Sequence, residues 1–332
     1  MQNEEALRSR GIGSTYVFIG LIVAAMLGQV FMSNSVYATP AIATAATVFV
    51  SIFVQATPFL ALGVVVSGLI AAFVSPAVLR RVLPRRPSAA VGVAGLAGVA
   101  LPGCECGAVP VARRLVDQGA PSAAALAFLL SAPAINPVVL VATAVAFPGE
   151  PGMVAARFAG SLATALVMGW LWTRIGRPEW FTALTAKHDH EYTSTSRWGV
   201  FAEAARHDFL QAASFLVIGA AAAAALNVLV PAWVYEHLAG QLLVSILLLA
   251  LLAVVLALCS EADAFVAASM SALPLLPRLV FLVVGPAVDV KLIAMEAGSF
   301  GRAFVVRFAP ATFVVAVVCG TIAGYAFLGG AR

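Results

Sequence analysis

Long apolar runs constrain this chain more than any other feature. Residues 43–74, 121–147, 152–174, 207–231, 276–297 and 304–328 are each apolar over a length that can cross a bilayer, which takes about 20 residues. An earlier run, Tyr16 to Phe31, follows Arg8 and Arg10. Hydrophobic residues make up 62% of the chain, charged residues 10%, and the mean hydropathy is +1.01. A soluble domain carries about 25% charged residues, and a chain this apolar cannot cover a water-facing surface. The expectation is an all-α polytopic membrane protein embedded in a lipid bilayer.

The net charge of +4 and pI near 9.1 do not imply nucleic acid. The basic residues fall in short loops, where they orient helices against the cytoplasmic leaflet. The four cysteines, Cys104, Cys106, Cys259 and Cys319, lie in apolar stretches and form no secreted disulfide framework. Residues 1–40 read as an N-terminal tail and first transmembrane helix. Ser35-Val36-Tyr37-Ala38 also has the small-residue spacing of a signal-peptidase site.

Two segments, 88–117 and 238–275, begin apolar and are then interrupted by small, polar or acidic residues around a cysteine. If 88–117 crossed once, the basic clusters Arg113-Arg114 and Arg174 to Arg206 would fall outside. If it enters and leaves on one side, those clusters join Arg80, Arg81, Arg85 and Arg86 inside. The positive-inside rule favours a re-entrant hairpin. Non-helical backbone at that depth needs protein or a water-filled cavity around it.

The two halves resemble each other. Phe59-Leu60-Ala61-Leu62-Gly63 pairs with Phe215-Leu216-Val217-Ile218-Gly219, Cys106 with Cys259, Pro133-Ala134 with Pro286-Ala287, and Arg157-Phe158-Ala159 with Arg307-Phe308-Ala309. The order is kept throughout. The chain divides into a membrane repeat over 41–175, a cytoplasmic loop over 176–200 and a second repeat over 201–332. Three crossings plus one re-entrant or broken-helix hairpin per repeat make the second copy inverted. Inverted repeats place a transport site near the midplane. The expected hairpin tips are Gly103 to Gly107 and Cys259 to Ala262.

The first tip reads Pro102-Gly103-Cys104-Glu105-Cys106-Gly107. Proline and glycine break the helix and free backbone groups. Cys104 and Cys106 converge on one soft centre once the backbone leaves the helix, and soft ligands select thiophilic species. Cys259 adds a thiol from the other tip. Buried cysteine also serves as a small hydrophobe, the reading preferred for Cys319. Glu105, Glu261, Asp263 and Asp289 are acidic residues in apolar surroundings, where charge usually faces an interior path. Asp289 aligns with Asn136, each within a Pro-broken stretch. Both are candidate substrate-binding residues and equally candidate caps of a second half-helix. Arg157 and Arg307 either attract an anion or snorkel to the interface. Gly92, Gly95 and Gly98 read as close helix packing. His188-Asp189-His190 reads as part of a solvated loop. No nucleotide-binding or zinc-protease motif is present. No cofactor is implied, and metal binding at the tips stays open.

These residues carry a family resemblance. Cys104-Glu105-Cys106-Gly107, Pro110-Val111, Gly119-Ala120-Pro121 and Phe128-Leu129-Leu130-Ser131-Ala132-Pro133-Ala134-Ile135-Asn136-Pro137 resemble the predicted-permease family that includes the bacterial organoarsenical efflux permeases. The likeness spans roughly residues 45–328 and is densest over 102–137. It implies a multi-pass permease of the inner (plasma) membrane. Together the readings describe a secondary-active permease for a small thiophilic solute: a trivalent organoarsenical, a soft metal or a sulfur compound. The alternatives are a membrane-embedded thiol oxidoreductase and a non-transporting subunit of a larger complex. A homo-oligomer or an accessory subunit is compatible with each.

Overall fold

The structure is a computed structural model that describes residues 40–74, 81, 83–84, 86–101, 105–180, 196–229, 242–270 and 273–329. The expected first helix and signal-like site, Cys104 and the His188-Asp189-His190 stretch lie outside the described residues.

The chain alternates long helices with pairs of short ones. Helix α1 spans Pro40–Phe73, α2 Pro87–Ala97, α3 Glu105–Asp117, α4 Ser122–Ile135, α5 Pro137–Ala146 and α6 Pro151–Ile175. Then come α7 Arg197–Leu229, α8 Leu242–Leu256, α9 Ser260–Ser269, α10 Leu275–Val284, α11 Val290–Phe300 and α12 Arg302–Phe327. No strand occurs among the described residues. Among the described residues, each half therefore holds one long α-helix, four short ones and another long one, in the same order.

Proline decides several boundaries. Pro87, Pro137 and Pro151 start α2, α5 and α6, where a missing N–H is harmless. Gly285-Pro286 separates α10 from α11, so the expected crossing over 276–297 is two short helices. Among the described residues, five helical segments are long and apolar enough to cross a membrane: Ile42–Phe73, Ser122–Ala146, Pro151–Ile175, Arg197–Ala225 and Arg302–Phe327. The second of these is the broken pair α4–α5. It is 78% buried over its most apolar window, against 28–44% for the others, so it runs through the middle of the bundle. Val54, Ile218, Leu243 and Ile322 stand exposed on the outer helices, as lipid-facing side chains do.

Side-chain contacts fix the course of the short helices. Trp170 Nε1 donates to Ser88 O at 3.1 Å and Trp172 Nε1 to Ser122 Oγ at 3.2 Å. The starts of α2 and α4 therefore lie beside the end of α6. Only residues 118–121 join the end of α3 to the start of α4, with Gly119 at φ +87. So α2 begins and α3 ends at one level, and the end of α2 and the start of α3 lie deeper. In the second half, Arg278 of α10 donates to Ala267 O at 2.7 Å and Ala268 O at 3.1 Å. The end of α9 thus sits beside the start of α10, and the 257–259 break lies away from that end.

The expected packing of Gly92, Gly95 and Gly98 holds for two of the three. A Cβ on Gly95 would lie 2.9 Å from Leu166, and one on Gly98 would meet Ser131 and Ala132 of α4, whereas Gly92 faces open space.

A polar clamp ties α3 to α1 and α7. Arg114 Nη2 donates to both Asp208 oxygens, at 3.0 and 2.8 Å. Ser67 Oγ donates to Asp208 Oδ2 at 2.6 Å. Replacing Asp208 with Ala removes these acceptors but leaves Arg114 12% exposed and able to reach water. The expected loss is about 1.5–3 kcal/mol, read as reversible unfolding in mixed detergent micelles. An unchanged midpoint would count against a structural role for the clamp.

Candidate functional site

Both deep breaks release acidic residues at a helix start. Glu105 opens α3 and is fully buried, with Cys106 beside it, also fully buried. At the other break Cys259 takes an extended conformation and precedes α9, whose first turn carries Glu261 and Asp263. A helix N-terminus presents unpaired N–H groups and a partial positive charge of about half a unit, so carboxylates in the first turn are favoured there. Ala257, at the second break, has φ +48, a left-handed conformation unusual for a residue with a side chain.

The two broken crossings supply matching starts. Asn136 Oδ1 accepts from Val139 N at 3.0 Å and caps α5; its Nδ2 donates to Ala132 O at 2.9 Å. Asp289 Oδ1 accepts from Leu292 N at 2.5 Å and caps α11. Each cap satisfies an N–H that the break would otherwise leave unpaired. Helix α3 packs on α11, and α9 packs on α5. Ser260 at the α9 start and Lys291 in the first turn of α11 both reach Glu105 at the α3 start, so three half-helix starts meet in the interior, with α5 packed alongside α9.

Charge gathers where they meet. Lys291 Nζ forms an ion pair with Glu105 Oε1, and both side chains are fully buried. The same ammonium lies 3.7 Å from Asp289 Oδ2 and donates to Ala257 O at 3.3 Å. Ser260 Oγ donates to Glu105 Oε2 at 3.4 Å. Arg157, fully buried, donates through Nη2 to Ser260 O at 2.8 Å and through Nη1 to Thr143 Oγ1 at 2.7 Å. Asp263 and Glu261 stand within electrostatic reach of Arg157. The Cys106 and Cys259 thiols stand within reach of Lys291.

The structure therefore brings together Glu105, Cys106, Cys259, Glu261, Asp263, Asp289 and Arg157, with Asn136 capping the neighbouring half-helix. It does not bring Arg307. That side chain is exposed, donates to Ala303 O at 2.6 Å and stacks 4.8 Å from the Trp180 ring centroid. Sequence reasoning missed Lys291, Ser260 and Thr143. Only Lys291 carried a legible signal: an ammonium inside an apolar run needs an interior partner.

The sequence matches a recognisable group of proteins. The model of a family described as predicted permeases matches residues 41–325. This chain belongs to that predicted-permease family. It is 31% identical over 283 residues to the "Putative two-component membrane permease complex subunit" of Streptococcus mutans serotype c, covering 83% of this chain and 94% of that one. It is 36% identical over 281 residues to the UPF0718 protein YcgR of Bacillus subtilis (strain 168), covering 82% and 93%. No solved structure matches the chain. As a member of a permease family with apolar helices of spanning length, it is a multi-pass membrane protein built as a transporter.

Proposed function

We propose that the chain is a secondary-active permease of the plasma membrane, and that its solute path passes the buried cluster at the helix breaks. One observation carries this reading. Lys291 and Glu105, from opposite halves of the chain, pair in full burial at two helix breaks. Such a pair adds little net stability compared with an apolar packing. A pair that exchanges partners with a solute gives a reason for its presence. We read the halves, over 41–175 and 201–332, as inverted copies. The shared order of helices supports this, as do the matched caps at Asn136 and Asp289 and the pairing of α3 with α11 and of α9 with α5. The N-terminal helix over 1–40 and the loop over 176–200 complete the proposed organisation.

The proposed solute is small and thiophilic, because Cys106 and Cys259 border the cluster from opposite breaks and Cys104 lies two residues before Cys106. Cells producing the wild-type chain are compared with cells producing Cys104→Ser, Cys106→Ser and Cys259→Ser at equal membrane abundance. The panel comprises trivalent organoarsenicals, soft metal ions and sulfur compounds. At least one solute is expected to change tenfold or more in accumulation with the wild type, and to lose that change in the Cys106→Ser and Cys259→Ser variants. A panel without any response would end the thiophilic reading.

A second reading has its own support. The Streptococcus mutans relative bears the name of a subunit of a two-component permease complex, so this chain is also proposed to work with an accessory subunit. Purified chain in liposomes tests this. Solute movement without a second protein would overturn the requirement for a partner.

A further inference from the structure

The cluster contains more acid than base. Glu105, Glu261, Asp263 and Asp289 face two cations, Lys291 and Arg157. Both cations are engaged: Lys291 with Glu105, Asp289 and Ala257 O, and Arg157 with Thr143 and Ser260 O. Asp263 is 2% exposed, and its Oδ2 accepts no hydrogen bond among the described residues. That oxygen is aimed at the break between α10 and α11: a Cβ built on Gly285 would lie 2.5 Å from it. Arg157 Nε is also buried and donates to nothing among the described residues. The charge around this oxygen is therefore incompletely matched.

The surroundings of Asp263 can be enumerated. Glu261 lies on its own helix. Arg157 comes from α6, Glu105 from α3, and Lys291 and Asp289 from α11. The other helices packed on α9 contribute Thr143 from α5 and, at the far end of α9, Arg278 from α10. No donor among these completes the Oδ2 atom. A buried carboxylate oxygen without a donor costs several kcal/mol, and a carboxyl group escapes this by taking a proton.

We infer that Asp263 Oδ2 is a proton-binding site that holds its proton while the Lys291–Glu105 pair is closed. A proton needs only the single unbonded oxygen, and among the described residues no group of three His, Cys, Asp or Glu side chains is placed to hold a metal ion. Binding forms one O–H bond, and release returns the proton to water. Resting on the permease reading, the inference makes the proton the coupling ion: opening the Lys291–Glu105 pair brings an ammonium toward Asp263, and the proton departs.

The test does not require the solute. Dicyclohexylcarbodiimide modifies protonated carboxyls in apolar surroundings. Purified full-length chain in liposomes is treated at neutral pH, and the modified residue is mapped by mass spectrometry. Labelling of Asp263 is expected, with loss of labelling as the pH is raised. Protection by sodium at constant pH would overturn the proposal in favour of a sodium site, and no labelling of Asp263 at any pH would overturn it outright. Infrared spectra supply a second measurement. The protonated-carboxyl band at neutral pH is expected to disappear in Asp263→Asn and to persist in Glu296→Gln, whose carboxyl is also buried with an unbonded Oε1. The reverse pattern would move the proton to Glu296 and overturn the assignment. Labelled Asp263 in a chain that moves no solute on the panel would leave the proton site standing and count against the thiophilic permease reading alone.

Discussion

Replacing Lys291 with Met lowers the stability of the folded chain by about 3–5 kcal/mol, and adding Glu105→Gln recovers most of that loss. The Lys291 and Glu105 side chains are both inaccessible to solvent, so neither can turn to water when its partner goes. The single variant leaves Glu105 with only the long bond from Ser260 Oγ and no cation in contact. The double variant removes both charges at similar volume, which is nearly neutral for many buried pairs. Reversible unfolding of the four proteins in mixed micelles completes a double-mutant cycle. Simple additivity of the two substitutions would show that the pair is not formed in the folded state. Transport gives the complementary reading: the double variant is expected to be folded yet inactive, because the Lys291–Glu105 pair can no longer open and close beside Asp263.

Replacing Gly107 with Val is expected to cost about 3 kcal/mol, the upper part of the range for overpacking, and to abolish transport. A Cβ at position 107 would lie 2.6 Å from Phe59 O, and a Cβ at Gly63 would run into the Gly107 backbone. The clash involves two backbones, so no rotamer change relieves it. Helix α3 would have to move off α1. Glu105 sits two residues away, and the movement would carry its carboxylate off Lys291. Gly107→Ala is the milder control, expected to lose less stability by the same unfolding measurement. Wild-type stability in the Val variant would mean that α1 and α3 do not approach so closely.

Much of the site was legible because its residue types are rare in membrane segments. Glu105, Glu261, Asp263 and Asp289 stood out as carboxyls in apolar runs. Asn136 and Asp289 stood out because proline breaks flank them, and both prove to cap the half-helix that follows. Lys291 was passed over although it sits two residues from Asp289. Sequence position gave no hint that its ammonium reaches across to the start of α3. The arginines show the same limit. Arg157 and Arg307 occupy corresponding places in the two halves, yet Thr143 and the start of α9 cover the first while the second lies exposed against Trp180. Local sequence sets the helix a side chain sits on; neighbouring helices decide whether that face is covered.

Hydropathy alone places this chain in a membrane, and proline and glycine mark several of the points at which its helices begin or break. Those outcomes depend on hydrophobic length, on the missing proline N–H and on glycine, all of which act within a few residues; the 257–259 break, which holds neither proline nor glycine, does not follow from them. The sequence also marked the acidic residues and cysteines of the breaks as candidates. Packing of distant helices brings the two breaks and the capped start of α11 together, closes Lys291 on Glu105, and admits one arginine of a matched pair to the cluster. The Lys291–Glu105 partners lie 186 residues apart in the chain. Their pairing follows from how α3 and α11 pack, and no local propensity carries that information.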